Sequence, residues 1–324
     1  DALHLVPLDA LPAPGAGAAR GNGAPAVVGD RVRLHFETSF QRLIDPPAAL
    51  ATEPGLLALG GIDFDVLEET GEGAVAEAST ETSGPLAALG QDRSGPGGRA
   101  FLPLPQTRHE VDGLLELWKK SSDGAATVLT DERATRAALH RLAPGVRNLH
   151  LATHGYFAEE TLRTLGTPDD ADWFVAPVGV ARAVADLAPL ALCGLALAGA
   201  NLGPGDDGRV RGILTGEEIA GLDLRACELA VLSACETNVG IRQAGLGMQS
   251  LQTALHAAGA RTVVTSLWMV DDLAARTLMV DFYRRIWRLG TPPAEALWEA
   301  KRALRARGHA LKDWAGWVLT GAPD

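Results

Sequence analysis

Basic charge is scarce in this chain, and cysteine is scarcer. Lys and Arg number 29 against 40 Asp and Glu, a formal net charge of −11 over 324 residues. A nucleic-acid partner would want a basic footprint and an anionic membrane surface a polybasic patch, so the balance argues against both. No apolar run approaches the ~20 residues that a membrane span needs. The three cysteines, Cys193, Cys227 and Cys235, are too few and too odd in number for a disulfide framework. Reduced thiols in the cytoplasm are the expectation. No signal peptide opens the chain, no initiator Met precedes Asp1, and no internal repeat is found. The chain is therefore expected to be a piece of a longer protein whose upstream part is missing. What is present is a globular composition, 47% hydrophobic and 21% charged, able to bury a core as one large domain or two.

The first hundred residues are uneven. Candidate strands at Leu3 to Leu8 and Arg31 to Glu37 flank a Gly/Ala/Pro loop from Ala13 to Gly29, and a short buried strand runs from Leu56 to Gly61. Residues 68–99, rich in Gly, Ser, Glu and Pro, read as a long loop or link. A soft division is placed there, with residues 1–100 as an N-terminal part and 101–324 as the regular domain. From residue 101 the pattern is periodic. A capping box at Thr107 to Glu110 opens a helix carrying Val111, Leu114, Leu115 and Trp118. A strand at Ala126 to Leu129 precedes a helix capped by Thr130. Further strands are read at Val146 to Thr153, Leu190 to Leu197, Glu228 to Ala234 and Arg261 to Leu267. Helices then follow from Asp271 to Leu289 and from Thr291-Pro292 onward. Strands alternating with helices predict an α/β fold with a parallel sheet covered by helices on both faces.

In an open parallel sheet, ligands bind beyond the carboxyl ends of the strands. Two of those ends carry His154-Gly155 and Cys235-Glu236. If the two strands are neighbours, His154 and Cys235 meet at their tips, where an imidazole can hold a thiol as thiolate. Gly155 would let a substrate approach the backbone closely, and its N–H and that of Cys235 are natural oxyanion donors. A lone Cys at a strand end is more often a small buried hydrophobe, and a lone His a hydrogen-bonded loop residue. It is the pair at corresponding ends that singles these two out. His150 and His154, four apart on a strand with no second pair nearby, do not make a metal site. His150 reads as core, Cys193 and Cys227 as packing thiols, and His256 as structural. Gly240, Gly245 and Gly247 lack the Lys and the order of a phosphate loop.

Several segments in order resemble one family. His-Leu-Ala-Thr-His-Gly (150–155), Leu-Thr-Gly-Glu-Glu-Ile (214–219), Leu-Ser-Ala-Cys-Glu-Thr (232–237), Ser-Leu-Trp-Met-Val-Asp-Asp (266–272), Asp-Phe-Tyr (281–283) and Trp-Ala-Gly-Trp-Val-Leu-Thr-Gly (314–321) look like the signature of CHAT domains, with a weaker echo at residues 5–12. These are caspase-like cysteine proteases related to separases and often fused behind tetratricopeptide repeats. The resemblance implies a caspase-like sandwich and a cysteine endopeptidase acting on protein substrates without a cofactor. In that reading Cys235 is the nucleophile, His154 the general base and then acid, and the Gly155 and Cys235 amides the oxyanion donors. An upstream regulatory region, such as such repeats, or a regulatory partner is implied as well. Glu236 is expected to be structural, and Asp271 and Asp272 either belong to the motif or form the acidic start of a helix. Ser233, on the same strand face as Cys235, stands where relatives that cut after Arg or Lys, such as metacaspases, carry an acid. No strong basic preference is expected from it. The run Leu267, Trp268, Met269 and Val270 is expected to pair with an extended substrate. The alternative is a protein-interaction or scaffold module whose dyad is silent.

Overall fold

The structure, a computed structural model, describes residues 6–14, 26–34, 36–38, 42, 44, 53–66, 100–157, 190, 193–203, 211–233, 244–268 and 270–322. The expectations for Cys235, Glu236, Met269, Gly240 and residues 68–99 fall outside these.

Six strands form the central sheet: β1 (Gly55–Ile62), β2 (Ala125–Asp131), β3 (Asn148–Leu151), β7 (Leu229–Leu232), β8 (Thr262–Ser266) and β9 (Trp317–Gly321). Their spatial order is β2-β1-β3-β7-β8-β9. Every pair is parallel except the last, in which β9 runs antiparallel to β8. Three short strands, β4 (Gly155–Phe157), β5 (Cys193–Ala196) and β6 (Ile213–Thr215), make a separate antiparallel sheet in the order β4-β5-β6. The helices are α1 (Pro105–Lys119), α2 (Arg136–Leu142), α3 (Gly216–Ala220), α4 (Ala244–Ala257), α5 (Asp272–Leu289), α6 (Pro293–Ala306) and α7 (Leu311–Trp314). No helix of the described residues is long and apolar enough to cross a membrane.

Side chains alternate along a strand, and both faces of this sheet are buried. Leu57, Leu59, Leu149, Leu151, Ala230 and Leu232 point into one core, shared with Leu139 of α2, Leu195 of β5 and Leu255 of α4. Their neighbours face the other way. Leu56 and Ala58 meet Val111 and Trp118 of α1, and Val231 and Val264 meet Leu278 and Phe282 of α5 and Leu304 of α6. The fold is thus the expected α/β sandwich, mostly parallel and covered on both faces. Its sheet draws on both sides of the expected division near residue 100, since β1 lies inside it between β2 and β3.

Local details differ from the sequence pattern in instructive ways. α1 starts two residues earlier than the capping box, at Pro105, whose fixed φ and missing N–H suit the first turn. Thr107 Oγ1 instead donates to Leu104 O and accepts from Gly61 N at 2.8 Å, and Glu110 turns into the interior. Gly60 permits this approach, because a Cβ there would lie 2.6 Å from the Thr107 carbonyl. Thr130 stays within β2, and Thr135 caps α2 by accepting from Ala138 N at 3.1 Å. Leu8 opens a 3-10 turn, Leu8–Ala10, and Phe36 forms only an isolated bridge to Thr320 where a strand was expected. The ends of the Ala13 to Gly29 loop are joined by the Pro12–Val27 bridge.

Two buried polar groups tie the far edge together. Lys301 of α6 is 1% exposed, paired with Asp9 and donating to Trp317 O at 2.9 Å and Ala315 O at 3.3 Å. Lys301→Ala leaves a carboxylate and two carbonyls without their donor and is expected to destabilise the fold by about 3–5 kcal/mol. Lys120→Ala, which removes an exposed pair with Glu116, should stay within about 0.5 kcal/mol by urea unfolding. His256 of α4 donates from Nδ1 to Ala260 O at 2.9 Å, and Nε2 lies 2.9 Å from Thr320 Oγ1 on β9. Burial pushes this imidazole down to about 4 from its ordinary 6.5. In the unfolded chain it takes a proton near pH 6.5 that the folded chain refuses until about pH 4. Stability is therefore full above pH 6.5 and falls towards pH 4, by about 3 kcal/mol from this group. Unfolding measured at pH 7 and pH 4.5 should show a smaller loss for His256→Asn than for the wild type.

Candidate active site

At the end of β3 the chain passes from one sheet to the other. Ala152 N still donates to Leu59 O at 2.8 Å, continuing the ladder to β1. One residue on, the Thr153 hydroxyl donates to Ala196 O, and the Ala196 amide donates back to His154 O at 2.9 Å. β4 then begins at Gly155. Since Ala196 bonds to His154, the Gly155–Leu195 pair is of the non-hydrogen-bonded kind, and the Gly155 N–H faces away from β5.

The imidazole of His154 is held at this junction, 1% exposed. Its ring lies 5.3 Å from that of Phe64 and 5.6 Å from that of Phe101, centroid to centroid. Nε2 is 2.7 Å from Leu102 O. A carbonyl can only accept, so the proton sits on Nε2 and the Nδ1 lone pair is left for another donor. Nδ1 is buried and has no hydrogen-bond partner among the described residues. Burial lowers the His154 pKa below 6.5, while the Leu102 carbonyl and the charge of Asp272 pull it back up. Asp272 is itself raised by burial and by the like charges of Asp271 and Glu110, with His154 opposing. Asp271 is the N-cap of α5, accepting from Leu273 N and Ala274 N at 3.1 Å each, so the helix-start reading holds for it.

β3 and β7 are direct neighbours, with Leu151 paired to Leu232. Ser233 follows β7, buried, and its N–H donates to Leu151 O at 2.9 Å. The Leu267 amide donates to Gly316 O at 2.8 Å. Trp268 donates its indole N–H to Lys312 O at 2.7 Å and packs on Gly316, where a Cβ would come within 2.7 Å of the ring. Both residues are thus engaged with the turn before β9. Cys235 and Met269 lie outside the described residues. Cys193 and Cys227 are buried in the core, and burial raises the Cys227 thiol to about 12. Among the described residues no group of three or more His, Cys, Asp or Glu side chains is placed to hold a metal ion.

Sequence reasoning missed two features. The first is the Leu102 carbonyl, since a backbone acceptor has no residue signature; the one available hint was Pro103, which biases Leu102 towards extended backbone. The second is a polar cluster under the site. His150 is fully buried, with Glu110 Oε1 2.8 Å from Nε2 and Tyr283 Oη 3.2 Å from Nδ1. Its core placement was legible, its partners on α1 and α5 were not.

No curated protein matches the chain. The family described as CHAT domain matches residues 1–322, essentially its whole length. With a mostly parallel six-stranded sheet covered by helices and a histidine held at the carboxyl end of a central strand, the chain belongs to the CHAT domain family, which is caspase-like.

Proposed function

We propose that the protein is a cysteine endopeptidase in which Cys235 attacks the peptide carbonyl and His154 takes the thiol proton and later returns it to the leaving amine. The observation that carries this reading is the state of His154. It stands three residues past Leu151; its proton is fixed on Nε2 by Leu102 O, burial lowers its pKa, and its Nδ1 has no partner among the described residues. In the sequence Cys235 stands three residues past Leu232, the strand partner of Leu151. A base with its other nitrogen oriented by a third group follows the logic of nucleophile activation. The Gly155 N–H, turned away from β5, supports the role of oxyanion donor, with the Cys235 N–H as the second. Ser233 lines the first specificity pocket in this reading, and Leu267, Trp268 and Met269 flank an extended protein substrate. A reducing, cytoplasmic setting and an upstream regulatory region or partner complete the proposal.

One observation favours the second reading, a silent interaction module. The imidazole is covered by Phe64 and Phe101 and hardly touches solvent. Thiol reactivity decides between the two. In an enzyme, Cys235 is alkylated by iodoacetamide at pH 7 well ahead of buried Cys193 and Cys227, and His154→Ala removes most of the difference. A Cys235 that labels no faster than those two speaks for the module.

Two further outcomes follow for the enzyme. Wild type, but not Cys235→Ala, produces new peptide N-termini in a mixed proteome, without a dominant Arg or Lys before the cut; such a dominance would overturn the Ser233 argument. Because burial holds His154 neutral below its ordinary range, the acid limb of the Cys235 alkylation rate should fall below pH 6.5. A limb above pH 6.5 would contradict a buried neutral base.

A further inference from the structure

The Leu102 carbonyl orients His154, yet nothing in Leu102 itself anchors that carbonyl. Its side chain is 71% exposed, and the next residue, Pro103, has no N–H to donate. The anchor lies one residue upstream. Asn201, in the turn after β5, accepts from Phe101 N at 2.8 Å through Oδ1 and donates from Nδ2 to Phe101 O at 3.0 Å. Its side-chain amide thus pairs with both backbone groups of Phe101, as a neighbouring strand residue would. The second Nδ2 hydrogen goes to Asp65 Oδ1 at 2.9 Å. The amide orientation is forced, because the Phe101 N–H can only donate and the carboxylate can only accept.

Asn201 is itself fixed. Its N–H donates to Phe64 O at 2.8 Å, and the Gly199 N–H reaches Asp63 O at 3.3 Å, so the turn is laid on the segment that leaves β1. At its other end the same turn leads back into β5, where Ala196 binds both Thr153 and His154. One short stretch, 196–201, therefore grips the histidine backbone from one side and the residue preceding its carbonyl partner from the other.

We propose that Asn201 is a positioning residue for His154, holding Phe101 so that the Leu102 carbonyl stays on Nε2 and Nδ1 stays free for the nucleophile. For catalysis this rests on the Cys235–His154 reading above, but its first readout does not. If Asn201 is removed, Phe101 keeps its ring packing but loses the amide that fixes its backbone, so among the described residues the Leu102 carbonyl is held by the His154 bond alone and can drift from Nε2. The imidazole is then free to populate both tautomers, one of which carries its proton on the wrong nitrogen.

The test uses the full chain labelled with 15N-histidine, with the His154 resonances assigned by His154→Gln. Wild type should show His154 as the Nε2–H tautomer, titrating below pH 6.5. In Asn201→Ala the tautomers should mix and the midpoint move further down, because the Leu102 carbonyl that raises it is lost, with Cys235 alkylation at pH 7 slowed about 10- to 100-fold, the scale expected when a reacting group is displaced by about 1 Å. Asp65→Ala, on the exposed side of the same bond network, should shift the same signals partway and decides the matter if Asn201→Ala does not fold. A folded Asn201→Ala with the tautomer and midpoint of wild type overturns the proposal, as does an unchanged Asp65→Ala where only that variant folds. A wild type with a single His154 tautomer but an unreactive Cys235 would sink the endopeptidase reading, and the positioning role would still be decided by the tautomer.

Discussion

The parallel pairing of β3 with β7 is the constraint on which the site depends. Both strands are buried on both faces, and the period-2 alternation of side chains makes their register hard to change. In the observed register, His150 opposes Val231 and Leu151 opposes Leu232. A slip by one residue would turn the His150 imidazole away from Glu110 and Tyr283 into an apolar layer, and bring Leu151 against the polar pair. Burying an imidazole without its partners costs more than any single strand hydrogen bond returns. The buried polar cluster therefore helps to hold the register, and the register in turn sets where both strand ends leave the sheet.

At the end of β3 the balance of forces on His154 is one of opposing terms. Burial between two phenyl rings disfavours the imidazolium, and Asp272 favours it; burial is the larger. The orienting group is a carbonyl and not a carboxylate, which fixes the tautomer without supplying a full negative charge next to the ring. Negative charge enters instead through Asp272, which is weakened as a carboxylate by its own burial and by Asp271 and Glu110. The outcome is an imidazole that is neutral at rest and only modestly helped when it becomes charged. That suits a base that takes a proton during attack better than one stored as an ion pair.

Much of this fold was legible in the chain, for physical reasons. Strands such as 229–232 and 262–266 are short, buried and rich in apolar or β-branched residues, and helices such as 272–289 carry a clear apolar stripe, so local pattern and burial agree. The misreadings share a cause. The Thr107–Glu110 spacing fits a capping box, but Pro105 starts the helix earlier and Thr107 and Glu110 are drawn to partners on β1 and β3, contacts that no local pattern encodes. The three-residue strands β4 and β6 are too short to show a period. At the site, His154 could be singled out by type and place, whereas its carbonyl partner could not, since every residue has one.

The groups that hold His154 come from three stretches distant in sequence: Phe64 after β1, Phe101 and Leu102 before α1, and Ala196 in β5. None of these is a catalytic residue type, and each is replaceable on its own terms by another apolar residue or backbone amide. What they share is a dependence on how the first sheet meets the second, because β1 belongs to the large sheet and β5 to the small one. The orientation of the imidazole is therefore a property of the seam between the sheets. A histidine placed on one element alone would keep its tautomer through any shift of the other. Here the acceptor on Nε2 comes from the segment before α1 and the grip on the histidine backbone from β5, so a small displacement at the seam would part Nε2 from its acceptor without unpairing a strand of either sheet.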